Sequence, residues 1–467
     1  MAGFWNLPNT FATLAGNQPA ALLDDNFTAL AIAPQYSSAV SGVDNILLTT
    51  PLTFAAYVAG MSFIFTATSN NTGGMTINVN SLGAVTLYKN NNQALAANDV
   101  VASGAYQIYY DGSNFHLLNP TVVNVATQNK IINPGMVIDQ RFEGTGHANP
   151  ATGDYTIDRW FVQYSGVANP FSQQQSTSRP SANYTNSLLT TVVTQDNAIA
   201  ASDIYFVGTK LEGYDIVDLI TATFTLGFWV NSSVTGTFCV SFRNSPATYS
   251  YVATYTIGAA NTWEYKTITV TGGLTTSATW LRNAGIGLSV SWALAAGSTY
   301  RTTAGTWAVG NFLATSAQTN WMNTAGSTFR ITGVQLSLGS ILPQWESRSI
   351  AEEMDLCQRY YQKNYPIGTT PGTITANGQV TAYAQTTSTV LGMLRGNFAT
   401  RMRATPTVTW WNPSTGTSGS VRNNTAATNP TATGTAIGQM STGYISLGTA
   451  PTANDLILGH WTADAEL

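Results

Sequence analysis

Apolar and polar residues alternate along most of this chain with the two-residue period of β-strands. Met75, Ile77 and Val79 alternate with Thr76, Asn78 and Asn80, and Tyr106, Ile108 and Tyr110 run into a turn at Asp111-Gly112. Further along, the strands become longer and more aromatic. Phe224, Leu226, Phe228 and Val230 share one face, Phe238, Val240 and Phe242 share another, and Ile286, Leu288, Val290 and Trp292 repeat the pattern. From Phe329 and Ile331 to Val334, Leu336 and Leu338 the apolar parity slips by one at Thr332-Gly333, as a glycine-containing bulge would make it do.

Helical spacing occurs in two stretches. Leu23, Phe27 and Leu30 form an apolar stripe within Ala20 to Leu30. Ser349 with Glu352 forms a capping box, followed by Ile350, Met354, Cys357 and Tyr361 on one stripe, until Pro366 stops the helix. These patterns predict a mainly β protein with several antiparallel β-sandwich domains of jelly-roll type and short N-terminal and interdomain helices. The expected divisions are an N-terminal segment 1–35, a small β domain 36–120, a connector 121–130, a sandwich 131–348, the helix 349–366, and a β region 367–467 rich in Thr, Gly and Asn. A single short helix cannot bury its stripe alone, so it packs either on the sandwich or against copies of itself.

Composition sharpens this picture. Hydrophobic residues make up 44% of the 467 positions and aromatics 11%, enough apolar area to exclude wholesale disorder. Charged residues make up only 9%, so Thr, Ser, Asn and Gln must cover most of the wetted surface. The net charge of −4, with no Lys or Arg cluster, argues against a nucleic-acid partner. The start, MAGFWNLPNT, lacks the basic and apolar regions of a secretory signal, and no apolar run is long enough for membrane insertion.

Little catalytic chemistry is available. Cys239 and Cys357 lie far apart without CxxC neighbours, which predicts reduced core thiols. His116, His147 and His460 fall in separate segments, and no HExxH, GxSxG or GxxxxGK[ST] occurs, so neither a metal nor a cofactor is expected. Asp154 with Asp158, or Glu212 with Asp215 and Asp218, are the carboxylates that would serve as acid and base on a glycosidic bond. The simpler reading makes them ordinary sandwich carboxylates, and the chain is expected not to be an enzyme.

Aromatic residues point to binding instead. Of the 12 tryptophans, Trp5 alone precedes the sandwich. A ring held on a rigid strand stacks on the flat face of a sugar while neutral polar groups take its hydroxyls. Trp229, Trp263 and Trp292 lie in predicted strands and are expected in the core. Adjacent strand residues point to opposite faces, so Trp410 and Trp411 cannot share one core and are the candidate glycan-binding pair.

Several stretches resemble bacteriophage tail fibre or receptor-binding proteins. TFATLAGNQPAALLDDNF, Thr10 to Phe27, resembles the virion-proximal start of such chains. INPGMVID, Ile132 to Asp139, with YTIDRW, Tyr155 to Trp160, resembles the entry to a carbohydrate-binding jelly roll. GVQLSLGSILPQWESRSIAEEMDLCQRYY, Gly333 to Tyr361, resembles its last strand and the helix after it, and MRATPTV at Met402 and HWTADAEL at His460 resemble fibre tips.

The resemblance implies a homotrimeric fibre in the virion tail, assembled in host cytoplasm and acting outside the cell. Its N-terminus would bind phage tail proteins through Leu23, Phe27 and Leu30, and its far end a glycan or outer-membrane protein of the host. Ile350, Met354, Cys357 and Tyr361 would form the trimer interface, which would also cover strand edges left exposed in a monomer. No long parallel β-helix repeat of the depolymerase type is present. Two alternatives remain: a surface-polysaccharide depolymerase using Asp154, Asp158 or Glu212, and a structural tail adaptor without receptor binding.

Overall fold

The computed structural model describes residues 35–89, 92–95, 97–119, 129–392, 395–436 and 438–467. The expected attachment stripe, Leu23, Phe27 and Leu30, and residues 121–128 of the expected connector lie outside them. The chain is mainly β and divides into two compact units, Met1–Ala126 and Thr127–Leu467. No helix among the described residues is long and apolar enough to cross a membrane.

In the first unit the alternation of Met75–Val79 turns Met75, Ile77 and Val79 inward, and a nine-stranded sheet forms around them. It is mixed: Gln35–Tyr36 runs parallel to Ser62–Thr66, Asn45–Thr49 to Met75–Val79, and Val85–Lys89 to Phe115–Leu117. Gln35–Tyr36 stands at one end of the strand order and Ala39–Ser41 at the other, yet only Ser37 and Ser38 separate them. The sheet therefore closes on itself around one core that holds Phe63, Phe65, Ile77 and Phe115.

The second unit contains the sandwich. A seven-stranded antiparallel sheet has Ile286–Ala296 at its centre, and a five-stranded one has Thr328–Leu338 at its centre. Trp160, Phe228, Trp292 and Leu336 fill the space between them. Beyond Gly227 the pairing of Phe224–Ser232 with Thr328–Leu338 shifts register, one extra residue being accommodated at Gly333, whose φ is +60°. This is the bulge indicated by the slipped parity. The seven-stranded sheet also carries a small second core on its outer face, where Leu313 and Ala314 cover Phe206 and Cys239. The outer face of the five-stranded sheet is covered differently, as described below.

After the sandwich, a helix runs over Ile350–Gln358, capped by the Ser349 side chain, which accepts from the Glu352 N–H. It is shorter than its apolar stripe, because Tyr361 already belongs to the strand Tyr361–Lys363. That strand pairs with Leu456–Asp464, which also pairs with Val380–Tyr383, Thr407–Trp411 and Arg422–Asn423. Trp410, Trp461, Ile445 and Ile457 form the core of this C-terminal region.

Candidate functional site

The strand Phe224–Ser232 points Phe224, Leu226, Phe228 and Val230 into the sandwich, so Trp229 and Asn231 must lie on the opposite, outer face. Across the ladder Tyr265 stands beside Trp229, and Arg330 beside Asn231. Gln174 pairs with Leu189 and Leu189 with Arg330, so Gln174, Leu189, Arg330 and Asn231 form one row across four strands.

The rings beside this row are held in place. Trp229 Nε1 donates to Tyr184 Oη at 2.9 Å. Tyr184 lies on Trp345, ring centres 5.0 Å apart, and Trp229 lies on Tyr265 at 5.2 Å. A Cβ at Gly333 would sit 2.6 Å from Tyr184 and 3.1 Å from Trp229, so the bulge glycine makes room for both rings. At Gly227 a Cβ would meet Leu342 at 2.2 Å and the Tyr265 hydroxyl at 2.3 Å, so Leu342 closes that flank. Tyr265 stays 40% exposed, while Tyr184, Trp229 and Trp345 are half-buried. Desolvation raises the Tyr184 phenol and pushes that of Tyr265 up to about 12, so both remain neutral hydroxyls at ordinary pH. Trp229 was expected in the core. The parity that buries Phe228 is what turns Trp229 outward, and that signal is present in the sequence.

The other expected site residues lie elsewhere. Trp410 pairs with Trp461 and is 1% exposed, enclosed by the backbone of Gly434 and Gly459, so it cannot meet a ligand. Trp411 points the other way, is half-buried, and donates from Nε1 to Thr462 Oγ1 at 3.2 Å. The expected trimer stripe is also divided. Cys357 and Tyr361 are buried within their own chain, Met354 is half-buried, and Ile350 is 63% exposed. Cys357 and Tyr361 are therefore removed from the candidate trimer interface, because intrachain packing already covers them.

The candidate catalytic carboxylates are engaged in structure. Asp154 accepts from the Ala151 N–H at 2.7 Å in a loop. Asp158 Oδ1 takes Arg141 Nη1 at 3.2 Å, and Arg141 reaches on to Asp464 at 3.0 Å and Glu466 at 3.3 Å. Burial pushes the Asp158 carboxyl up to about 7, against the pull of Arg141. Both oxygens of Glu212 are held by Arg359, at 2.7 and 2.8 Å, and Oε1 also accepts from Tyr360 Oη at 2.6 Å. Arg159 pairs with Glu466 and lies over the Tyr360 ring at 3.5 Å. A shallow cleft beside this junction, lined by Lys130, Arg159, Lys210 and Tyr360, has no room for a small-molecule ligand. Among the described residues no three His, Cys, Asp or Glu side chains gather to hold a metal ion.

No family model matches the chain, and no curated protein matches it. Among solved structures, the chain is similar to the enzymatically active domain of bacteriophage CBA120 tailspike protein 4, at 13% identity and a TM-score of 0.27 over 45% of this chain and 21% of that one. It is similar to TmCBM61 in complex with β-1,4-galactotriose, at 12% identity and a TM-score of 0.24 over 46% of this chain and 100% of that one. It is also similar to the C-terminal family 22 carbohydrate-binding module of Clostridium thermocellum Xyn10B, at 14% identity and a TM-score of 0.24 over 41% and 94% of the two chains. The chain thus spans about a fifth of the length of the tailspike domain. Likeness at this level does not carry an activity from those proteins to this chain.

Proposed function

We propose that this chain binds a cell-surface glycan on the outer face of the five-stranded sheet and, as a trimeric phage tail fibre, uses that contact to attach the virion to a bacterium. The observation that carries the reading is the group of Tyr184, Trp229 and Tyr265, rings with neutral polar tips held beside the row of Gln174, Leu189, Arg330 and Asn231. Ring faces suit the C–H faces of sugars, and amides and hydroxyls suit their hydroxyl groups. The fibre part of the reading rests on the sequence resemblance and includes virion attachment through Leu23, Phe27 and Leu30. Binding without cleavage is favoured because Asp158 and Glu212 are committed to cations in the junction.

The test is binding of the purified chain to host cells and to their isolated polysaccharide. Trp229→Ala and Tyr265→Ala should lose binding while Trp411→Ala keeps it; the opposite pattern moves the site to the C-terminal region. New reducing ends released from the polysaccharide would replace binding with hydrolysis.

A further inference from the structure

We infer that the glycan recognised on this face carries an anionic group, a carboxylate or a phosphate, and that Arg330 is its counter-ion; this rests on the proposed binding face. The argument begins with the scarcity of charge. A chain with 18 Lys and Arg in 467 residues places few cations, and many of those that the sandwich and junction enclose have carboxylate partners. Arg141, Arg159, Arg348 and Arg359 each pair with one. Arg330 does not: among the described residues no carboxylate reaches ion-pair distance of it, and it also lacks the close oxygen that holds each of the other acid-free arginines enclosed here, Arg243 (2.7 Å to Asn311 Oδ1), Arg301 (2.8 Å to the Ala296 carbonyl) and Arg403 (2.6 Å to the Ala284 carbonyl).

Its polar contacts are weak as well. Nη1 donates to Asn231 Oδ1 and to Thr328 Oγ1, both at 3.4 Å, which is long for a charge-assisted bond. Nε is shielded from solvent and has no partner. A guanidinium offers five N–H donors in a planar fork shaped to take two oxygens of a carboxylate or phosphate. A half-buried fork left this unpaired costs stability in the free protein. Burial also lowers the Arg330 pKa, in keeping with a cation that lacks a counter-charge.

Position supplies the remaining argument. Arg330 stands opposite Asn231, and Trp229 opposite Thr332, so Arg330 and Trp229 are diagonal neighbours on one face. A sugar resting on the rings around Trp229 would bring a substituent within reach of the guanidinium. Gln174 and Leu189 continue the row without adding charge. The recognition unit would thus be one sugar on the rings and one anion on the fork.

The experiment is an array of bacterial surface polysaccharides with neutral, carboxylate-bearing and phosphate-bearing members, probed with the full chain, Arg330→Gln, Arg330→Lys and Trp229→Ala. The bound set should be anionic. Arg330→Gln should weaken it about tenfold or more, Arg330→Lys should recover only part because it keeps charge but loses the fork, and Trp229→Ala should lose all members. Carboxyl reduction or dephosphorylation of the tightest binder should match the effect of Arg330→Gln and identify the anion. Melting temperatures of the Arg330 variants no lower than that of the unaltered chain exclude unfolding as the cause. Neutral members bound as tightly as anionic ones, with Arg330→Gln silent, would overturn the inference and leave the glycan face standing. Binding indifferent to Trp229→Ala would overturn the face itself, and the inference with it.

Discussion

The outer face of the five-stranded sheet and the junction between the sandwich and the C-terminal region use polar chemistry in opposite ways. In the junction, cations and carboxylates from distant parts of the chain are paired, each pair with at least one buried partner. Arg141 meets Asp158 and Glu466, Arg359 meets Glu212, and Lys363 meets Glu143. On the outer face, rings are left half-covered and one cation is left without an acid. Buried pairs hold a single arrangement firmly but offer a ligand nothing, whereas groups left open at a surface can exchange water for a ligand. Arginine thus occurs in two settings, ion-paired in the junction and without an acid on the outer face.

The largest expected effect lies in the junction. Glu466→Ala would leave Arg159, which is 1% exposed, without its carboxylate, and should cost about 3–5 kcal/mol in denaturant unfolding. Glycan binding by the folded fraction should not change. Trp229→Ala should do the reverse: about tenfold or more weaker glycan binding, with a stability loss of only ~1–2 kcal/mol for a half-buried ring. A large stability loss without loss of binding would return Trp229 to a packing role.

A smaller effect separates the regions by pH. An unfolded aspartate releases its proton near pH 4, while the folded Asp158 carboxyl is pushed up to about 7. Between those values the native state holds a proton that the unfolded state lacks, so stability should fall as pH rises through the window. Asp158→Asn should flatten that part of the stability curve, and glycan binding over the same range should be insensitive to the substitution. The smallest effect concerns association. Ile350 is the exposed member of the helix stripe, and Ile350→Asp should weaken trimer assembly in sedimentation at micromolar concentration. An unchanged association state would remove the helix from any contact between copies, and a monomer from the outset would reject the trimer.

Local features of the fold were legible because local rules govern them. The capping role of Ser349 and the bulge at Gly333 each follow from a few adjacent residues. The argument that Trp410 and Trp411 point to opposite faces also holds, one ring being enclosed and the other half-buried. The face of Trp229 was equally legible, but preference for tryptophan in a core concealed it. Helical spacing misled at Tyr361, because the helix ends at Gln358 and the chain enters a strand, where the stripe no longer continues. The junction had no local signature. Arg141 and Glu466 are 325 residues apart, and neither is unusual in its own neighbourhood.

The position of Leu456–Asp464 sets an order of events during synthesis. Each of Tyr361–Lys363, Val380–Tyr383, Thr407–Trp411 and Arg422–Asn423 pairs with this later strand. On the ribosome those four stretches emerge before the strand that joins them, while the sandwich has all the strands of its two sheets by Leu338. The C-terminal region must therefore wait with its edges open beside a sandwich that can already fold. Its many Thr, Gly and Asn residues keep the waiting segments weakly hydrophobic, which limits their pairing with neighbouring chains in the interval although they carry little charge to repel it.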